Sequence, residues 1–104
     1  VFVNASRRED HGLAQLEALA AGTPLVTVPS PGAYEALPLA RELAGELVAA
    51  DGSAEALAQA LAAGLALDEE ARAAYAERAR ALLAPYGREA LLATVRDEVL
   101  PRLL

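Results

Sequence analysis

The sequence predicts an α/β fold of about three parallel strands with flanking helices and a helical C-terminal tail. Short runs of strand-forming residues at Val1-Phe2-Val3, Leu25-Val26-Thr27-Val28 and Glu46-Leu47-Val48-Ala49 alternate with Leu/Ala-rich stretches of helical period, the pattern of strand–helix–strand units with a parallel sheet. Gly and Pro punctuation falls between those runs, at Gly12, Gly22-Thr23-Pro24, Pro29-Ser30-Pro31-Gly32, Gly45 and Asp51-Gly52. Beyond residue 66 only helical periodicity follows, so residues 1–66 are expected as a βαβαβα unit and 67–104 as C-terminal helices.

The first run is expected as a buried strand, followed by a polar loop ending in Gly12. A helix from about Gly12 to Ala21 follows, stopped by Gly22 and Pro24. Leu25–Val28 is the second strand. Pro29–Gly32 ends it in a loop at the same sheet edge as the first loop, because parallel strands present their carboxyl ends together. Leu37–Ala44 reads as a short helix that tolerates Pro38 in its first turn and ends at Gly45. Glu46–Ala49 is the expected third strand.

Asp51-Gly52-Ser53 forms a turn in which Ser53 caps a helix running to about Ala66, with Glu55 favourable near its start and Leu57, Leu61 and Leu65 as the buried stripe. Asp68 caps the next helix. Its Glu69/Arg72 and Glu77/Arg80 pairs mark a solvated face opposite Tyr75, Ala79 and Leu82. Pro85-Tyr86-Gly87 breaks it, and Arg88 to about Leu100 is the last helix, with Leu91, Leu92, Val95 and Val99 as its buried stripe.

Composition excludes several function classes. The chain has 104 residues, enough for one small domain with a modest core. With no cysteine and one histidine, neither a thiolate site nor the usual zinc arrangements can be built. The net charge of -6 disfavours nucleic-acid binding through a basic face. No apolar run approaches the roughly 18 residues of a membrane span.

The chemistry is expected in the segment from Asn4 to Pro24. Between Gly12 and Gly22 the strongly polar side chains are Gln15 and Glu17, and residues two apart on a helix point roughly 200° away from each other. They cannot share one solvent face. Glu17 lies with Leu13, Ala20 and Ala21, so it either borders a dry region, where a carboxylate needs a partner, or is solvated because the helix is rotated the other way. A loop ending in Gly-Leu at a helix start also offers free backbone N–H groups and the positive end of the helix dipole, which suits a diphosphate.

The segment from Glu9 to Val26, Glu9-Asp10-His11-Gly12-Leu13-Ala14-Gln15-Leu16-Glu17-Ala18-Leu19-Ala20-Ala21-Gly22-Thr23-Pro24-Leu25-Val26, resembles the Glu-x7-Glu signature of retaining, nucleotide-sugar-dependent glycosyltransferases (glycosyl transferases group 1). Asp10 stands where that signature usually has Gly, and His11 where it has an aromatic residue. Pro31-Gly32-Ala33-Tyr34-Glu35 resembles the family's Gly-Gly-x-x-Glu loop with Pro in place of the first Gly; a plain turn is the alternative. Arg7 and Arg8 precede the signature and read as surface cations.

The resemblance implies half of a Rossmann-like GT-B C-terminal domain, the donor-binding part of a longer cytoplasmic protein whose other domain completes the cleft. It implies transfer of a sugar from a nucleotide diphosphate sugar with retention. Glu9 would contact the donor sugar as the catalytic residue, the amides near Gly12 and Leu13 would face the diphosphate, and Glu17 would hydrogen-bond the ribose hydroxyls. Asp10 and His11 would belong to the same donor-binding loop, His11 shaping it and Asp10 either lying in it or capping the helix. No metal or cofactor is expected beyond the nucleotide-sugar substrate. The expected partners are that donor and the other domain, with self-association through exposed apolar surface, and the chain alone is expected to be inactive.

Two readings from other classes compete. One is a nucleotide-binding module of the same fold without transfer activity. The other is an interaction or assembly module, for which Glu17 should point into bulk solvent.

Overall fold

The computed structural model describes residues 1–8, 12–87, 89, 92, 93 and 95–103. The described residues form a mixed α/β unit. Strand β1 (Phe2–Asn4) leads to helix α1 (Leu13–Ala20), strand β2 (Leu25–Thr27), α2 (Ala36–Ala44), α3 (Ala54–Leu65) and α4 (Glu69–Leu83). The strands are parallel, with Phe2, Val3 and Asn4 opposite Leu25, Val26 and Thr27. Hydrogen bonds from Phe2 N–H to Pro24 O and from Val28 N–H to Asn4 O extend the pairing at both ends.

The expected third strand is reduced to a single parallel bridge. Residues Gly45–Leu47 turn as a 3-10 helix, Val48 bridges Thr27, and Ala49 N–H donates to Thr27 O at 2.8 Å. The chain leaves α2 through that tight turn, so only one residue is extended in register with β2 before Asp51-Gly52-Ser53 redirects it. The first strand also departs from expectation. Val1 and Val3 are 46% and 42% exposed, because among the described strands β1 pairs on one side only, while all three residues of β2 are buried.

Side-chain alternation along β2 sorts the two faces. A Cβ added to Gly64 of α3 would meet Val26 Cγ2 at 2.8 Å, so α3 packs its glycine directly on that strand. Thr27 points the other way, where its hydroxyl meets Tyr34. Helices α1, α2 and α4 pack against one another, and Tyr75 of α4 is buried with its phenolic oxygen 3.2 Å from Leu25 N. The core is Leu19, Leu25, Val26, Val28, Leu37, Leu43, Leu47 and the alanines between them; each fully buried Leu or Val contributes about 1.5–3 kcal/mol of transfer free energy.

The capping expectations hold at both helices. Ser53 Oγ accepts from Ala56 N–H at 3.1 Å and Asp68 Oδ1 from Ala71 N–H at 2.7 Å. Helix α1 closes in a Schellman motif, with Thr23 N–H donating to Ala18 O and Gly22 N–H to Leu19 O. Gly22 takes φ 78°, and a Cβ there would lie 2.7 Å from Ala76 Cβ on α4, so a left-handed turn and a close helix contact coincide.

Two helical stripes are corrected. In α3 the buried positions are Ala60 and Gly64, with Leu57 and Leu61 half-buried, whereas Leu65 is 69% exposed. The close approach of Gly64 to β2 rotates the helix so that its small residues, not its leucines, meet the sheet. After the 3-10 turn Ala84–Tyr86, the helical turns Val95–Val99 and Leu100–Leu103 contain no buried residue. Leu92, Val99, Leu100 and Leu103 are exposed, because no other described element packs over them; Leu91 lies outside the described residues. Tyr75 and Ala79 are buried and Leu82 half-buried on α4, opposite exposed Glu69, Arg72, Glu77 and Arg80, as the charge pattern predicts.

Candidate functional site

Both loops of interest sit at the carboxyl ends of the parallel strands. Gly12 occupies the N-cap of α1 at φ 73° and ψ 43°, and no side chain caps the helix. The left-handed conformation is one that only glycine adopts without strain. A Cβ at Gly12 would also lie 2.6 Å from Cε1 and 2.7 Å from Cδ1 of Tyr34, so backbone conformation and space both require glycine. Leu16 N–H donates to Gly12 O at 2.9 Å, and the positive end of the helix dipole lies at Gly12.

Helix α1 is rotated so that Gln15, Ala18 and Leu19 face inward. Gln15 is 5% exposed, and Glu17 is exposed on the opposite side with Leu13 and Ala20. The two polar side chains do point apart, and the buried one is Gln15: Glu17 borders solvent rather than a dry region. A Gln side chain can be buried at far lower cost than a carboxylate, which explains the choice.

Exposed Glu17 also lines a groove of ≈ 300 Å³ together with Leu13, Leu16, Ala20, Leu83 and Gly87. Among the described lining residues the walls are aliphatic, and Glu17 supplies a carboxylate. A separate depression of ≈ 400 Å³ between α2 and α4 is lined by Glu42, Leu43, Arg78, Ala81 and Leu82; none of those residues comes from the strand-end loops. Glu9, Asp10 and His11 lie outside the described residues. Arg7 and Arg8 are exposed.

Beneath the loops lies a buried polar cluster that the sequence reading did not assemble. Asn4, Thr27 and Tyr34 are 6%, 0% and 4% exposed. Asn4 Nδ2 donates to Thr27 Oγ1 at 3.1 Å and to Tyr34 OH at 3.4 Å, and Thr27 Oγ1 lies 2.9 Å from Tyr34 OH. Asn4 Oδ1 accepts from Ser6 N–H at 3.2 Å. The available signal was polar residues ending two otherwise apolar strands in register, Asn4 opposite Thr27. In the second loop, Tyr34 N–H donates to Gly32 O at 2.8 Å and Leu37 N–H to Tyr34 O at 3.1 Å, and Glu35 is exposed at the start of α2.

Among the described residues no group of three or more His, Cys, Asp or Glu side chains converges on a metal position, and no helix is long and apolar enough to cross a membrane. In comparison with known proteins, the family model of glycosyl transferases group 1 matches residues 1–82. No curated protein and no solved structure matches the chain.

Proposed function

The chain belongs to the glycosyl transferases group 1 family, and on that premise we propose that it forms the donor-binding wall of a retaining glycosyltransferase that uses a nucleotide diphosphate sugar. Membership supports glycosyl transfer, and the mixed α/β fold is consistent with part of a Rossmann-like GT-B domain. The observation that carries the donor reading is the left-handed glycine start of α1 at Gly12, beside the Glu17 groove.

The amides of the first turn of α1 take the diphosphate, because a helix start directs N–H donors and partial positive charge toward a ligand placed there. Leu13 and Leu16 offer an aliphatic wall to the nucleoside, and Glu17 accepts hydrogen bonds from the ribose hydroxyls. Glu9 contacts the donor sugar, with Asp10 and His11 in the same loop. The contribution of this chain is positioning and stabilisation of the departing diphosphate; the acceptor is held by a facing domain, so the chain alone binds donor without transferring it.

One observation favours a second reading, an interaction module: Glu17 is exposed, with the 69%-exposed Leu13 beside it. NMR titration of the chain with UDP, GDP and their sugar conjugates separates the two. Donor binding predicts shifts centred on Gly12, Leu13 and Glu17 that vanish in Glu17→Ala. Absence of any perturbation at millimolar nucleotide sinks the donor reading for this chain.

A further inference from the structure

We propose that Tyr34 is a positioning residue: it ties the two strand-end loops together and holds Gly12, and with it the start of α1, in the conformation that receives the diphosphate. The proposal rests on the donor reading above and concerns a residue that contacts no ligand itself.

The ring acts on Gly12. It stands so close that even a Cβ at Gly12 would lie 2.6 Å from Cε1, so the ring closes one side of the left-handed N-cap and leaves the loop little room to relax inward. The hydroxyl acts on the strands. Thr27 Oγ1 lies 3.1 Å from Val28 O and 2.9 Å from Tyr34 OH, and either hydroxyl can donate in the second of these bonds. Asn4 Nδ2 donates to both oxygens, at 3.1 and 3.4 Å. The remaining Asn4 oxygen accepts from Ser6 N–H.

Ser6, after β1, and Gly12, before α1, are therefore held on one network, Ser6 through Asn4 and Gly12 through the Tyr34 ring. Tyr34 itself lies in the second loop, so it links Gly12 to that loop. In a buried site such bonds are costly to break, and a helix start held in place before the ligand arrives loses less freedom on binding. A tyrosine is needed because it supplies both the flat ring and the hydroxyl at its far end; Phe keeps only the first.

The test compares the chain with Tyr34→Phe, Thr27→Val and Thr27→Ser. Two quantities are measured: the affinity for UDP and GDP by NMR, and amide hydrogen exchange at residues 13–16 against that of α3 and β2. Loss of one net hydrogen bond from the tie predicts about tenfold weaker nucleotide binding in Tyr34→Phe and in Thr27→Val. The double variant should be no weaker than either single one, and Thr27→Ser, which keeps the hydroxyl, should bind like the parent chain. Exchange should rise selectively at residues 13–16. A purely structural role lowers global stability but leaves the affinity of folded molecules and the exchange pattern unchanged, and that result overturns the proposal. If the parent chain binds neither nucleotide, the donor reading fails while the exchange arm still decides: a selective rise at 13–16 supports the tie, a uniform rise refutes it. Should Tyr34→Phe not fold, Thr27→Val carries both measurements.

Discussion

Tyr75, on α4, accepts a hydrogen bond from the backbone N–H of Leu25, the first residue of β2, at 3.2 Å in the buried core. Fifty residues separate the two, and through this bond the fourth helix supports the strand that carries Thr27 and feeds the candidate site. Tyr75→Phe keeps the ring but leaves the Leu25 N–H without that acceptor, which costs about 1–3 kcal/mol. The expected result is a lower denaturant midpoint with an unchanged slope in urea unfolding.

The same residue sets an alkaline limit. Burial pushes the Tyr75 phenol above its ordinary value of 10.0, outweighing the opposing bond from Leu25. Because the folded value exceeds the unfolded one, its contribution is fully present below about pH 10 and lost as pH rises through the raised folded value. Stability of the parent chain should fall more steeply above pH 10 than that of Tyr75→Phe, as read from urea midpoints across pH 8–12.

Gly64→Ala tests how α3 sits on the sheet. Helix propensity favours alanine by about 1 kcal/mol, but the new Cβ would meet Val26 Cγ2 at 2.8 Å, and Val26 is fully buried. Overpacking of this kind costs typically 1–3 kcal/mol, so the variant should be less stable than the parent. Adding Val26→Ala should restore part of the loss; a stabilised Gly64→Ala protein contradicts the packing described.

Gln15 and Glu17 should separate stability from binding. Gln15 is buried and Glu17 exposed, so Gln15→Ala should destabilise the fold within the usual range of about 0.5–3 kcal/mol, while Glu17→Ala should stay within about 0.5 kcal/mol of the parent. On the proposed function only Glu17→Ala abolishes nucleotide shifts without moving the melting temperature.

The C-terminal turns should add nothing to the stability of the α/β unit. Leu100 and Leu103 are exposed and their segment buries no residue, so Leu100→Ser with Leu103→Ser should change the unfolding free energy by less than about 0.5 kcal/mol. Sedimentation equilibrium on the same variant tests the proposed self-association, which should weaken as this apolar surface is removed.

Local signals in the chain suffice for much of this protein. Capping residues such as Ser53 and Asp68 act within one helical turn, and Gly22 before Thr23-Pro24 ends α1 by its own backbone preference, so these features are legible without any long-range contact. The resemblance read around Gly12 and Glu17 is likewise local, and the family model matches residues 1–82. Tertiary packing decided what periodicity leaves open. Which face of α1 is buried depends on the cost of desolvating Gln15 against Glu17, and which face of α3 meets the sheet depends on the fit of Gly64 over Val26. The third strand shrank to a bridge because a tight turn consumes its residues. The Asn4–Thr27–Tyr34 network exists only once residues 23 and 30 positions apart meet at the sheet edge, a juxtaposition that register and loop path create and no local pattern encodes.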